Sequence, residues 1–295
     1  MPVSPSRRPV LHLMNGVGDS SITSIVVDQV NHFSDSRYEW HIAGLKGVAA
    51  NEPFSDLGAA VVDFSRDSGG QFGIQRKLRN YVHENGIQLV HTHTPRTTLT
   101  AAFALGRRRR VKLLTTKHLH AISQERRAHG WVFWLADRSA CYMSDKIIAV
   151  SNDVGSKLKS LPWIHDDKIT VIQNAVDTML YDQPAERQGC RTEFGIAGHE
   201  TVLGFAGRLT KQKRLDLMLR AFAQVLRRYD NCRLLLAGEG EEEAALRLQA
   251  VQLGIDGKVI WAGHRRDMPR LYAAIDIYIQ SSDNEGLSLS LLQAM

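Results

Sequence analysis

Short apolar or β-branched runs alternate along the whole chain with longer segments of helical period. In the first half these runs predict seven strands, at residues 10–14, 38–43, 59–64, 87–93, 111–116, 146–151 and 168–173. Four more are predicted in the second half, at residues 201–207, 233–238, 258–263 and 276–281. Strands and helices in strict alternation are typical of parallel βαβ units, so the pattern predicts an α/β fold.

One polar segment interrupts the alternation. Residues 181–200 contain Pro184 and three glycines and have little periodicity. We therefore predict two Rossmann-like domains with parallel sheets, residues 1–181 and residues 201–295, joined by a linker at residues 182–200. A chain of 295 residues that is 43% apolar is long enough to form two cores.

The second domain opens with a strongly amphipathic helix. Apolar positions that step by three and four predict its buried face: Leu215, Met218, Leu219, Phe222, Val225, Leu226 and Tyr229. The cations Lys211, Lys213, Arg214 and Arg220 lie off this stripe. A last helix is predicted to begin near Asn284.

Charge is distributed unevenly between the two halves. Residues 1–181 hold 22 basic and 16 acidic residues, including the run Arg107–Arg110, whereas residues 182–295 hold 15 of each. A basic first half suits an anionic partner, such as a phosphorylated acceptor or an acidic membrane surface. A solvated basic face is the alternative interpretation.

Cysteine content and hydropathy indicate the compartment. The three cysteines, Cys141, Cys190 and Cys232, are an odd number without metal-type spacing, so we expect neither disulfides nor a zinc site, and a reducing cytoplasm fits. The apolar stretch near the amino terminus is too short for a signal peptide. No run of about 18 apolar residues predicts a transmembrane helix, so any membrane contact would be peripheral.

A phosphate site is predicted in the stretch "FAGRLTKQK". Arg208 and Lys213 follow the carboxyl end of a strand and precede a helix. Ligands of open α/β sheets bind at that edge, and helix amino termini attract anions. Arginine can hold a phosphate with two donors, whereas lysine supplies a mobile charge. We therefore predict a diphosphate site here, with a merely solvated helix surface as the alternative.

A carboxylate is predicted at the same sheet edge. In "SSDNEGLSLSLLQAM", Ser281 and Ser282 end a strand, and Glu285 and Gly286 open a tight turn before a helix. Because the carboxyl ends of parallel strands meet at one edge, Glu285 is expected on the side where Arg208 lies.

These segments carry a family resemblance. "GRLTKQKRLD", followed some seventy residues later by "EGLSLSLLQAM", resembles the donor-binding signature of glycosyltransferase family 4, retaining enzymes of the GT-B architecture. "DKIIAVSNDVGSKL", "DKITVIQNAVD" and "LYAAIDIYIQSSDNEG" are also similar in order and spacing. The resemblance implies an acceptor-holding first domain, a nucleotide-sugar-binding second domain and chemistry in the cleft between them.

The resemblance also implies roles for matched residues. Arg208 and Lys213 would bind the donor diphosphate, Glu285 would contact the sugar near its reacting face, and Gln293 would face the nucleotide ribose. Gly286 belongs to the same matched turn. The family has a glutamate where Gln293 stands, and an amide accepts one hydrogen bond and donates another where a carboxylate accepts two.

The first domain supplies two further candidates. His118, in "LLTTKHLHAIS", matches a family histidine that lies against the donor sugar, although His120 competes for this role. Gly18, in the strand-to-helix turn "NGVGDSS", would let the backbone approach a phosphate. The family usually has a second glycine where Asp19 stands.

The sequence disfavours a metal site and a dinucleotide site. His91 and His93 alternate on a strand in "VHTHTPRTT", but lacking a third ligand in sequence range we interpret them as cleft-lining or core residues. No Asp-x-Asp motif occurs, so no metal-bound diphosphate is expected. A dinucleotide fingerprint is disfavoured, because Ser21 replaces the third glycine and Glu39 lies near the start of its strand.

The sequence therefore predicts a cytoplasmic enzyme that transfers sugar from a nucleotide diphosphate sugar to a glycan or lipid-linked acceptor, with retention and without a metal or other cofactor. Peripheral contact with an anionic membrane is an open alternative, and no nucleic acid partner is expected. Because the chain ends at Met295, where the family continues for about two βα units, we expect the second domain to be incomplete. A non-catalytic sugar-nucleotide-binding domain and a sugar-nucleotide epimerase are the rival hypotheses.

Overall fold

The chain forms two compact units, Met1–Asn174 and Ala175–Met295, in a computed structural model. The structure describes residues 7–18, 20–33, 37–50, 52–65, 69–106, 110–118 and 130–295. Among the helices in these ranges, none has the length and apolar character needed to cross a bilayer.

The first unit is built on a parallel sheet of seven strands in the order β3-β2-β1-β4-β5-β6-β7. Their bounds are β1 Arg8–Met14, β2 Tyr38–Gly44, β3 Ala60–Asp63, β4 Leu89–Thr92, β5 Lys112–Lys117, β6 Lys146–Ala149 and β7 Ile169–Val171. The first and last residue of every observed strand of this sheet lie within two residues of the predicted ends. The order reverses between β1 and β4, and the carboxyl edge at such a reversal is where ligands bind in open α/β sheets.

Helices cover both faces of this sheet. They are α1 Ser21–His32, α2 Gly70–Glu84, α3 Pro95–Leu105, α4 Gly130–Met143 and α5 Asn152–Lys159. Val26 and Val30 of α1 pack with Met14 and Ile42 on one face. On the other face, α2 and α3 pack against a core that contains Leu11 and the other inward-facing strand residues. Two covered faces explain why the central strand β1 is buried along nearly its whole length.

The second unit contains a parallel sheet of four strands in the order β10-β9-β8-β11. The strands are β8 Thr201–Ala206, β9 Cys232–Ala237, β10 Val259–Gly263 and β11 Ile277–Tyr278. β11 is much shorter than the predicted strand at 276–281, because it pairs only with Leu203 and Gly204 of β8. The residues that follow it enter a loop.

Six helices accompany this sheet: α6 Thr178–Tyr181, α7 Arg187–Glu193, α8 Leu215–Leu226, α9 Glu243–Gln252, α10 Met268–Ala274 and α11 Leu289–Ala294. The predicted stripe of α8 is buried from Leu215 to Phe222. The prediction was wrong for Tyr229, which is 61% exposed because the helix ends at Leu226. It was also wrong for the last helix, which begins at Leu289 after the cap residue Ser288 instead of near Asn284.

The segment predicted as a linker, residues 182–200, lies inside the second compact unit. It contains α7, whose Arg191 is 4% exposed and forms an ion pair with Asp276 at 2.5 Å. Asp276 also accepts a hydrogen bond of 2.7 Å from the Val202 backbone. These polar contacts fold the segment onto the sheet, which a polar composition without periodicity does not reveal.

Candidate functional site

The loop after β8 holds the two predicted phosphate ligands. Lys213 ends a single 3-10 turn, Lys211–Lys213, and Arg214 then takes a left-handed conformation with φ of 50° before α8 begins. Lys213 therefore precedes the helix instead of lying on it. The Arg208 side chain is exposed and makes no hydrogen bond or ion pair to any residue that the structure describes. It is thus free to bind an anion.

The loop between β11 and α11 is fastened to this β8–α8 loop. Four polar contacts join them: Ser281 Oγ to Lys213 O at 2.7 Å, Gln212 Nε2 to Asn284 O at 2.6 Å, Asp283 N to Gln212 O at 2.9 Å and Arg214 Nη1 to Asp283 Oδ1 at 2.9 Å. None of the four contacts was predicted, because the partners lie about seventy residues apart and polar loop residues carry no periodic signal.

Two sequence-predicted site residues meet directly. Lys213 Nζ donates to Glu285 Oε1 at 2.5 Å, and the two side chains are 18% and 23% exposed. Partial burial reduces solvent screening, so this pair interacts more strongly than one on the open surface. Gly286 follows Glu285 in the same loop.

Gln293 lies on α11, and its side-chain oxygen accepts one hydrogen bond from the protein. Its Oε1 accepts a hydrogen bond from the Tyr272 hydroxyl at 3.2 Å. Burial raises the pKa of Tyr272, so the hydroxyl keeps its proton and remains a donor. The Gln293 amide group is left to donate elsewhere, and its contact with a ribose stays a prediction.

Glycines at the strand ends bring the loops of this edge close together. A Cβ on Gly238, whose φ is 131°, would lie 2.0 Å from the Gly207 carbonyl oxygen. A Cβ on Gly240 would lie 2.3 Å from the Leu209 carbonyl oxygen. At both positions the backbone of the neighbouring loop occupies the space that a side chain would need.

Gly18 lies in the first unit, at the carboxyl ends of β1 and β2. It lines a cavity of about 430 Å³ together with Gly16, Val17, Ser20 and residues 46–49. A Cβ on Gly18 would lie 3.4 Å from the Ala49 Cβ, which is an ordinary van der Waals contact, so packing in the structure does not by itself require a glycine here. Asp19 falls outside the described residues.

His118 belongs to a buried group of imidazoles. His12 of β1 pairs in register with His91 of β4, and His93 lies two residues further on the same face. His12, His91 and His93 are at most 5% exposed, and one nitrogen from each lies within 4.8 Å of the others. The sequence interpretation of His91 and His93 lacked this third imidazole, because His12 comes from a distant strand. His120 and Arg107–Arg109 fall outside the described residues.

Burial keeps these imidazoles neutral. It lowers the pKa of His12 to about 3, and burial together with the Lys117 charge lowers the pKa of His118 to about 4. The pKa values of His91 and His93 are also well below the ordinary value, mainly because of burial. Neutral imidazoles can donate and accept one hydrogen bond each.

The two parallel-sheet units define the class of fold as GT-B, and the family follows from direct comparison. Residues 25–180 match the model described as Glycosyltransferase Family 4, and residues 187–295 match the one described as Glycosyl transferases group 1. The chain therefore belongs to glycosyltransferase family 4, which confirms the predicted fold and resemblance.

Individual relatives agree with this assignment. An uncharacterised glycosyltransferase of Methanocaldococcus jannaschii is 30% identical over 159 residues, 52% of this chain and 40% of the relative. The lipopolysaccharide core biosynthesis mannosyltransferase LpcC of Rhizobium leguminosarum bv. viciae is 28% identical over 63% of this chain and 51% of its own length. The chain thus spans about half the length of these curated relatives.

Solved structures share the fold at lower identity. Anabaena HepE, crystallised with UDP-glucose, has a TM-score of 0.80 at 22% identity and covers 97% of this chain and 77% of its own. WaaG, a glycosyltransferase involved in lipopolysaccharide biosynthesis, has a TM-score of 0.75 at 14% identity, with 97% and 78% covered.

Proposed function

We propose that this protein transfers a sugar from a nucleotide diphosphate sugar to an acceptor hydroxyl, with retention at the anomeric carbon and without a metal. The observation that carries the proposal is the Lys213–Glu285 ion pair at the carboxyl edge of the second sheet, in the same β8–α8 loop as Arg208, whose side chain has no partner among the residues that the structure describes. This arrangement combines cations for a diphosphate with a carboxylate for the sugar that the diphosphate carries.

The main physical demand of the reaction is to stabilise the departing diphosphate. Within the described part of the chain the Arg208 guanidinium has no competing partner, and Lys213 is held in place by Glu285 and by the Ser281 contact to its backbone. Donors that are already oriented toward a developing anion stabilise it without reorganisation during the reaction. These two cations therefore lower the barrier to cleavage of the sugar–phosphate bond.

Transfer with retention needs no nucleophile from the protein. The acceptor oxygen attacks the anomeric carbon from the face on which the diphosphate leaves, the sugar–phosphate bond breaks, and the departing phosphate oxygen takes the acceptor proton. Glu285 contacts the sugar near this face, and His118 donates to a sugar hydroxyl. Gln293 contacts the ribose, while Gly18 and Gly286 leave room for substrate.

The relatives and the charge distribution support a choice of donor and acceptor class. HepE was crystallised with UDP-glucose, which makes uridine sugars the first donors to test. LpcC is named for lipopolysaccharide core biosynthesis, and the basic first half of this chain suits an anionic acceptor. We therefore propose a glycan or lipid-linked acceptor in the cytoplasm, reached through peripheral contact with an anionic membrane and without nucleic acid.

Differential scanning fluorimetry with uridine, guanosine and adenosine diphosphate sugars tests the donor site. A ligand present at a hundred times its Kd adds about 2.7 kcal/mol to the stability of the folded state, which is a shift of several degrees. The nucleotide that shifts the melting temperature is then used with labelled sugar and a panel of acceptors, with and without EDTA. Anomeric coupling in the product reports retention.

The rival hypotheses give different results in the same assays. A degenerate binding domain, suggested by Gln293, would show the thermal shift without transfer to any acceptor. An epimerase would convert the donor in the absence of acceptor. No shift with any of the three nucleotide classes would contradict the proposal.

A further inference from the structure

Three imidazoles converge on the two strands at which the order of the first sheet reverses. His12 of β1 pairs in register with His91 of β4, and His93 follows on the same face. One nitrogen of each ring lies within 4.8 Å of those of the other two. The ring centroid of His91 is 4.8 Å from that of His12 and 4.5 Å from that of His93. Such a convergence of imidazoles is a ligand set that suits a transition-metal ion.

Two of the three rings already have the spacing of metal ligands. His12 Nδ1 lies 3.2 Å from His93 Nε2. In a tetrahedral site with zinc–nitrogen bonds of about 2.0–2.1 Å, neighbouring ligand nitrogens are about 3.3–3.4 Å apart. An ion bound to both rings therefore needs little change in their separation, and His91, whose nitrogen is within 4.8 Å of theirs, must approach by about 1.5 Å at most. A hydrogen bond between the two rings is the metal-free alternative.

The nitrogens on the other side of two rings have hydrogen-bond partners. His91 Nε2 lies 2.7 Å from Thr116 Oγ1, and His93 Nδ1 lies 3.2 Å from His118 Nε2. Histidines that bind a metal almost always hydrogen-bond through their second nitrogen, which fixes the orientation of the ring. These contacts leave His91 Nδ1 and His93 Nε2 for an ion, and Nε2 is the atom of His93 that faces His12.

The cluster is nearly closed off from water. The three rings are between 1% and 5% exposed. A buried polar group costs free energy unless it finds a partner. One shared ion satisfies a nitrogen of each ring at once, and it does so without requiring any of the three rings to supply a proton.

We propose that His12, His91 and His93 bind a divalent transition-metal ion, with Zn²⁺ as the ion to test first and water as the fourth ligand. Imidazole nitrogen suits Zn²⁺, whereas Mg²⁺ and Ca²⁺ prefer oxygen ligands. The ion ties β1 to β4, so its binding stabilises the folded first unit. The inference does not rest on the proposed function, whose diphosphate candidates Arg208 and Lys213 belong to the second unit.

Zinc binding is measured first on the wild-type protein, freed of metal by a chelator. We expect titration calorimetry to show one site per chain with a Kd below about 1 μM, and Mg²⁺ to show none. X-ray absorption at the zinc edge should show three imidazole nitrogens and one oxygen, at about 2.0–2.1 Å. Zn²⁺ should also raise the melting temperature by several degrees, because it binds the folded arrangement.

Two variants connect the binding to the named rings. His12→Phe removes one ligand and keeps an aromatic ring in the core, and we expect it to weaken zinc binding more than about a hundredfold, since loss of an outer hydrogen-bond partner alone costs about ten- to a hundredfold. Thr116→Val removes such a partner of His91 at nearly constant volume. We expect it to weaken zinc binding about tenfold.

His41→Gln is the matched control. His41 is a buried histidine of the same unit that bonds to the Tyr81 hydroxyl at 2.8 Å, and this variant should bind zinc as the wild type does. Melting temperatures without metal report whether each variant folds, and the wild-type absorption spectrum stands even if His12→Phe does not. A wild type without a zinc site, a ligand set that includes sulfur, or equally tight binding by folded His12→Phe and His41→Gln would overturn the proposal.

Discussion

Lys213 Nζ lies 2.5 Å from Glu285 Oε1, across 72 positions of sequence. The contact joins the residue assigned to the departing diphosphate with the residue assigned to the sugar. The four polar contacts between their loops reinforce it, so a shift of either side chain displaces the other. The two halves of the donor are therefore expected to be held by one rigid element.

Loss of the Lys213 charge should slow transfer strongly. We expect Lys213→Ala to reduce kcat by about a hundredfold, close to 3 kcal/mol, because a preorganised cation is removed from the developing diphosphate. Lys211→Ala is the control on the same turn, since Lys211 is 69% exposed and lies 3.9 Å from Glu242. Steady-state kinetics that show equal losses for the two variants would contradict the assignment.

Arg208 should contribute to activity without contributing to stability. We expect Arg208→Ala to slow transfer by about a hundredfold, roughly 3 kcal/mol, because the proposed function assigns this side chain to the departing diphosphate. Its melting temperature should match that of the wild type, since the side chain bonds to no residue in the described part of the chain. Arg220→Ala, at an exposed position on α8, is the control and should leave both quantities unchanged. Wild-type turnover in Arg208→Ala would refute the diphosphate role.

The sequence predicted which residues lie at the carboxyl edge of the second sheet, but it did not predict the polar contacts that hold their loops together. Period and strand-end position were enough to place Arg208 and Glu285 on one side of a parallel sheet, because that geometry is shared by all such folds. The Lys213–Glu285 contact was not predicted as a pair, and Arg214 with Asp283 was not predicted at all. Long-range polar contacts in loops depend on tertiary packing, which a local pattern does not encode.

The buried imidazoles show the same limit in the first unit. His91 and His93 were recognised on one strand because their spacing is local. His12 joins them only through the register of β1 with β4, in which it pairs with His91. Tyr229 failed for the converse reason: its spacing continued the α8 pattern although the helix had already ended at Leu226.

Restoring a carboxylate at position 293 should tighten donor binding. In Gln293→Glu one oxygen can still accept from the Tyr272 hydroxyl, and the second becomes available to a ribose hydroxyl. We expect the donor Kd to fall by about tenfold, equivalent to about 1.4 kcal/mol, measured by titration calorimetry. Tyr272→Phe is the companion variant, because it frees the Gln293 oxygen without adding charge. Unchanged affinity for the bare nucleoside diphosphate would argue against contact with the ribose.

Close backbone packing beside Arg208 should make Gly238 intolerant of a side chain. A Cβ there would lie 2.0 Å from the Gly207 carbonyl oxygen, so one of the two loops must move. We expect Gly238→Ala to cost about 2 kcal/mol or more in urea unfolding and to weaken donor binding as well. Gly257→Ala is the control, since nothing lies within 4 Å of its added Cβ, and it should change stability by less than about 0.5 kcal/mol. Equal stability of the two variants would contradict the packing argument.

The buried imidazoles should make the first unit lose stability in mild acid. The pKa values of His12 and His118 fall from 6.5 to about 3 and about 4, so the unfolded chain binds protons below pH 6.5 that the folded chain still excludes. The free energy of unfolding therefore falls as pH decreases from 6.5 toward 4, by up to about 1.4 kcal/mol per pH unit for each such group. Urea midpoints between pH 7.5 and 4.5 measure this slope. His12→Gln should flatten it by nearly one proton, because this buried imidazole is then no longer present to bind a proton on unfolding. A slope that is the same in His12→Gln as in the wild type would mean that His12 binds its proton equally well in the folded and the unfolded chain, and this would contradict a neutral, buried imidazole at position 12.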